Sequence, residues 1–103
     1  MILSSTRHNK LYTVYTSFGR TALYLALLSI DVKNKKVLIP AFTCATTLPG
    51  AIVQAGGIPV FIDIDPSNLQ MLETDILNKI DRDAKVIISH HYYGSYSNNV
   101  LTI

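Results

Sequence analysis

The sequence predicts an α/β fold, a mostly parallel sheet with helices on both faces. Three observations carry this reading. Short runs rich in Val and Ile, "KVLIP" at 36–40, "IPVFIDI" at 58–64 and "AKVIISH" at 84–90, are apolar nearly throughout, as strands buried on both faces are. Helical stretches lie between them, which is the spacing that parallel pairing needs. Turn chemistry marks the boundaries, in "DVKNKK", "AGG" and "DPSN".

Taken in order, "LYTVYTS" at 11–17 is β-rich and reads as a short strand leading to Gly19. Residues 20–30 form the first helix, dominated by Ala and Leu, which are good helix formers. It is apolar all round, so burial on several sides is expected. The strand at 36–40 ends on Pro40. Residues 43–57 read as a helix interrupted by Pro49 and Gly50, with Thr43 able to cap its start. Gly56 or Gly57 can supply the left-handed residue that ends it. The strand at 58–64 runs into the "DPSN" turn, and "LETDILNKI" at 72–80 is an amphipathic helix. The strand at 84–90 leaves into "HYYGSYSNN", a polar loop rich in tyrosine. With so few strands, those at 58–64 and 84–90 are expected to keep an unpaired edge, an aggregation risk.

Composition narrows the function. The 103 residues, 49% hydrophobic and 16% charged, fit one soluble globular domain. A net charge of +2 is too mild to argue for nucleic acid or a membrane surface. One cysteine, Cys44, excludes an internal disulfide and fits a reducing compartment. The longest apolar run is about half of a membrane span, and "MILSSTRHNK" lacks the apolar core of a signal peptide. The cytoplasm is expected.

Sheets of this kind place ligands at the carboxyl ends of their strands. That rule marks residues 17–21, 40–43 and 90–94, all expected on one edge of the sheet. Arg20 stands where the helix macrodipole disfavours a cation and welcomes an anion. Unclaimed N–H groups, Gly19, and the hydroxyls of Ser17 and Thr21 suit a phosphate, although a plain helix start with a capping hydroxyl reads the same way. Neither a P-loop nor a G-x-G-x-x-G fingerprint is present. Asp63 and Asp65, two apart on a strand, would share a face and could hold a divalent ion. Pro66 instead favours Asp65 as the first residue of a turn. Neighbouring His90 and His91 point to opposite faces of a strand, so they do not chelate one ion together. Tyr92, Tyr93 and Tyr96 either pack or line a cleft.

The segments "SFGRTALYLALLS", "VLIPAFTCATT", "AGGIPVFIDID" and "KVIISHHYYG", in this order and spacing, resemble the N-terminal part of the DegT/DnrJ/EryC1/StrS aminotransferases. These are fold type I pyridoxal-phosphate enzymes, and many transfer an amino group to a keto sugar nucleotide. The resemblance implies that residues 1–103 are a partial, aspartate aminotransferase-like large domain that binds pyridoxal 5'-phosphate. It also implies a sugar nucleotide and an amino donor as substrates and a homodimer at full length. The family's S-G-T-x-A-L segment matches residues 18–23, so amides around Gly19, Arg20 and Thr21 would hold the cofactor phosphate. Arg20 replaces the family's threonine there, and Phe18 its small polar residue. The P-S-x-T-[FW] segment matches residues 40–44 and puts Cys44 where an aromatic residue stacks on the cofactor ring, leaving Phe42 and Tyr92 as alternative stackers. The H-x-[YF]-G segment matches residues 91–94 and puts His91 beside the cofactor.

In the family the Schiff-base lysine and the acid that holds the pyridinium nitrogen follow H-x-[YF]-G. Lys10, Lys33, Lys35, Lys36, Lys79 and Lys85 all precede it. The expectation is therefore a fragment with no catalytic residue of its own, inactive alone. The alternative is a non-catalytic α/β module that binds a phosphorylated ligand, such as a sugar nucleotide held with a metal at Asp63 and Asp65.

Overall fold

The computed structural model describes residues 2–7 and 10–94. A hairpin of β1 (Ile2–Arg7) and β2 (Lys10–Tyr15) comes first, followed by α1 (Gly19–Ile30) and β3 (Lys36–Pro40). Then come α2 (Leu48–Gln54), β4 (Ile58–Ile62), α3 (Glu73–Lys79), β5 (Ala84–Ile87) and a 3-10 turn at Tyr92–Gly94. The sheet has the order β4-β3-β5, with β3 parallel to both neighbours.

β3 organises the core because its side chains alternate between two faces. Val37 and Ile39 join Leu27, Val32, Ala51 and Ile52 in the cluster under α1 and α2. Leu38 points the other way, into a cluster with Ile62, Met71 and Ile76 that α3 covers. Helices therefore lie on both faces, as the apolar strands predict. A register shift at Lys36/Val37 kinks the pairing with β5.

Three expectations need correction. The strand near 11–17 exists as β2, but it pairs antiparallel with β1 and stands outside the parallel sheet. β1 itself escaped notice because "ILSSTR" carries no apolar run. α1 is not buried on several sides: Ala22 and Leu27 are buried, while Leu28 and Ile30 are exposed at 46% and 44%. α2 packs against α1 and β1 approaches it, while residues 28–30 stay exposed. α2 begins at Leu48 rather than near Thr43, with Pro49 in its first turn. Proline fits that position because no helical N–H is needed there, and it forbids a helix that started a turn earlier. The helix still ends as expected, with Gly56 at φ 88°.

The two edges of the sheet differ. Ile58 donates to the Lys35 carbonyl and Ile62 accepts from Ala41, at 2.8 Å each. Residues 58, 60 and 62 thus bond towards β3, and Pro59, Phe61 and Asp63 face outward. Proline has no N–H to offer a further strand. Lys79 Nζ donates to the Phe61 carbonyl at 2.7 Å, and the Asp63 N–H donates to Asp75 Oδ2 at 2.8 Å. An i,i+4 ion pair of 2.9 Å joins Lys79 to Asp75. Side chains of α3 therefore close the β4 edge that the sequence leaves open. The outer edge of β5 has no such cover among the described residues, and there the expected unpaired edge is present.

Candidate functional site

The start of α1, the β3–α2 connection and the chain after β5 converge on one cavity of about 580 Å³. This is the carboxyl edge of the sheet, where all three marked loops were expected. From α1 come Phe18, Gly19 and Arg20; from the β3–α2 connection, Thr43, Cys44 and Thr47; from beyond β5, Ile88, Ser89 and His90.

The start of α1 has no side-chain cap. Phe18 is extended, with φ −133° and ψ 147°, and offers no capping group. Thr16, whose hydroxyl could have reached an amide, donates to the Phe18 carbonyl at 3.0 Å. Ala22 is the first residue whose N–H finds a helical acceptor, the Phe18 carbonyl at 3.2 Å. The N–H groups of Gly19, Arg20 and Thr21 thus have no protein acceptor among the described residues, and the first turn carries no acidic residue. The Arg20 guanidinium lies 5.0 Å from the Phe18 ring centroid, a cation–π contact. It makes no ion pair among the described residues, and no carboxylate lines the cavity. The capping reading of Ser17 and Thr21 gives way to a start that lacks an acceptor.

Cys44 sits across from this cation, exposed, with Sγ 3.3 Å from Thr46 Oγ1. Hydrogen bonds from the Thr46 and then the Thr47 hydroxyls, aided by their amides, favour the thiolate and lower the thiol to about 7. Phe42 and Tyr92 do not line the cavity; their rings lie 5.6 Å apart, and Tyr92 lies 4.0 Å from His90, which does. The Tyr92 hydroxyl is buried and without a hydrogen-bond partner, and burial pushes its pKa up.

The structure brings Gly19, Arg20 and Cys44 to one cavity. Thr21 turns its side chain into a separate depression between α1 and α2. His91 is exposed and does not line the cavity, whereas His90 does. The signal for His90 was present: with Val86 and Ile88 packed towards α1 and α2, strand alternation puts residue 90 on that side. Tyr96 lies outside the described residues. The Asp63–Asp65 pair does not form a metal clasp. Asp65 Oδ1 accepts from the Ser67 N–H and hydroxyl at 2.9 and 2.7 Å, bonds that hold its carboxyl below the usual range. Among the described residues no three His, Cys, Asp or Glu side chains gather as metal ligands.

Comparison with known proteins places this geometry in context. The model of the DegT/DnrJ/EryC1/StrS aminotransferase family matches residues 5–101. Over 79 residues the chain is 34% identical to GDP-perosamine synthase of Vibrio cholerae, a match that covers 76% of this chain and 21% of that protein. The fold superposes on Spr1654 of Streptococcus pneumoniae in its PLP-form with a TM-score of 0.75 and 27% identity, over 81% of this chain and 22% of that one. For NtdA of Bacillus subtilis with bound cofactor PMP, the TM-score is 0.71 at 28% identity, over 78% of this chain and 18% of the other. The chain spans about a fifth of the length of the curated relatives it matches. No helix among the described residues is long and apolar enough to cross a membrane.

Proposed function

The chain belongs to the DegT/DnrJ/EryC1/StrS aminotransferase family, and from that premise we propose that it is the phosphate-holding part of a pyridoxal-phosphate-dependent aminotransferase acting on a keto sugar nucleotide. One observation carries the proposal. The Gly19 and Arg20 N–H groups and the Arg20 guanidinium border one cavity, with the Thr21 N–H next in the same turn, and no protein acceptor or carboxylate among the described residues satisfies them. A phosphate dianion supplies both the acceptors and the charge.

The residues present therefore fit the cofactor. Gly19, Arg20 and Thr21 would hold its phosphate through their amides, and Arg20 would add a charge-assisted bond. Cys44 would pack beside the ring, the Phe42–Tyr92 pair would reach it only through His90, and His90 rather than His91 would border the cofactor. When bound, pyridoxal phosphate supplies an aldehyde through which an amino group passes from donor to acceptor. The roles proposed for these residues are binding and orientation. The sugar nucleotide substrate is supported by the name of the Vibrio cholerae relative. An amino donor and a homodimer at full length belong to the same reading.

Titration of the chain with pyridoxal phosphate, followed by tyrosine fluorescence, tests this. Saturable quenching that inorganic phosphate reverses is the expected result. No yellow absorption band that disappears on adding an amino donor should accompany it. Quenching that phosphate cannot displace would remove the basis of the proposal.

A further inference from the structure

Arg20 borders two spaces, and the second has no role in the reading above. It is a depression of about 360 Å³ between α1 and α2. Thr21 and Tyr24 reach it from α1, Thr46 from the preceding turn, and Gln54 from α2. Positions 21 and 24 share one helix face, as do 50 and 54 on α2. The polar side chains are a guanidinium, two threonine hydroxyls, a phenol and a carboxamide, every one able to donate. No carboxylate lines the space. Donors presented from two helices and a turn exceed the two that a planar carboxylate takes from a guanidinium, and suit an oxyanion with several oxygens.

We propose that this depression is a second oxyanion subsite that takes a phosphoryl group, with Arg20 serving both spaces. Five N–H donors on one guanidinium allow that sharing. The subsite stands whether or not the main cavity takes pyridoxal phosphate. Inorganic phosphate and the diphosphate of a nucleotide present the same chemistry, and the test separates them.

The main cavity is first saturated with pyridoxal phosphate. Phosphate and GDP are then titrated separately while the backbone amide shifts of residues 50–54 are followed. Saturable shifts there are expected, and tighter binding of GDP would identify the nucleotide diphosphate as the source. Gln54→Glu, an exposed change outside the main cavity, should weaken this binding roughly tenfold by charge repulsion, while Gln54→Leu weakens it less. Pyridoxal phosphate affinity should stay unchanged in both variants. Unmoved amides at 50–54 with both probes, or equal affinity in Gln54→Glu, would overturn the subsite. Absence of pyridoxal phosphate binding alongside Gln54-dependent phosphate binding would sink the proposed function and leave the subsite standing.

Discussion

The two ends of α1 treat positive charge in opposite ways. At its C-terminus Lys85 Nζ donates to the Asp31 carbonyl at 2.8 Å, where the macrodipole favours a cation. Nearby, Lys36 pairs with Asp81, and Lys35 lies 3.8 Å from Asp83. These groups surround the amino ends of β3 and β5, and each cation has its own oxygen. At the N-terminus of α1, Arg20 faces the unfavourable pole with no carboxylate partner among the described residues. At the amino end Lys35, Lys36 and Lys85 each have an oxygen partner. At the carboxyl end Arg20 has none among the described residues, an asymmetry that the proposed anion site would account for.

The change with the largest expected effect removes both ends together. β3 spans them, and Ile39 is fully buried within it. Ile39→Ala should cost about 2–5 kcal/mol in denaturant unfolding, with loss of ligand response and lysine pairing in one transition. Two separate transitions would mean that the ends are held independently.

Next in size is the contrast between the two cations. Arg20→Glu should weaken phosphate binding by about 100-fold, since it replaces a charge-assisted bond with repulsion. Lys85→Ala should change it by less than about twofold, as a charge at the far helix end is screened. Equal losses in the two variants would make the site a general effect of net charge.

The ends should also respond to different pH ranges. The Cys44 thiol is held at about 7 by Thr46 and Thr47, below its value in an unfolded chain. Its stabilising bonds are thus fully present above the ordinary thiol range, near 8.5, and fade as pH falls through 7. Alkylation by iodoacetamide should reach half its maximal rate near pH 7 at Cys44, and Thr46→Val should move that midpoint upward. Asp81 is held low by the Lys36 side chain and then the Asp83 N–H. Its contribution is present above the ordinary carboxylate range and is lost as pH falls below about 4. Amide protection at the amino end, taken relative to the intrinsic exchange rate at each pH, should therefore fall only in acid. Loss of protection there near pH 7 would erase the distinction.

Much of this arrangement was legible in the sequence. The strands around β3, β4 and β5 announce themselves by unbroken Val and Ile. The "DPSN" turn follows from Pro66 and the carboxylate of Asp65, and Gly56 ends α2 through its left-handed backbone. Gly19 and Arg20 were readable as a helix start that carries a cation, because charge at a helix start is a local matter. What was not legible depends on distant partners. Lys79 and Asp75 look like an ordinary i,i+4 pair, and only the fold brings them to the β4 edge. The choice of His90 over His91 turns on which face of β5 meets α1 and α2, and β1 owes its place to pairing with β2. The start of α2 was readable from Pro49, had its preference for the first helical turn been given more weight than Thr43 as a cap.

The central claim is that the carboxyl end, and not the lysine-rich amino end, receives the anion. Mapping amide shifts across the chain during titration with pyridoxal phosphate tests it most directly, because the aldehyde also gives every lysine a chance to compete. Saturable shifts at Gly19, Arg20, Thr21 and Cys44 are predicted, with Lys35, Lys36 and Lys85 unmoved and unmodified. Shifts and adducts concentrated at Lys35, Lys36 and Lys85, with the start of α1 silent, would contradict it.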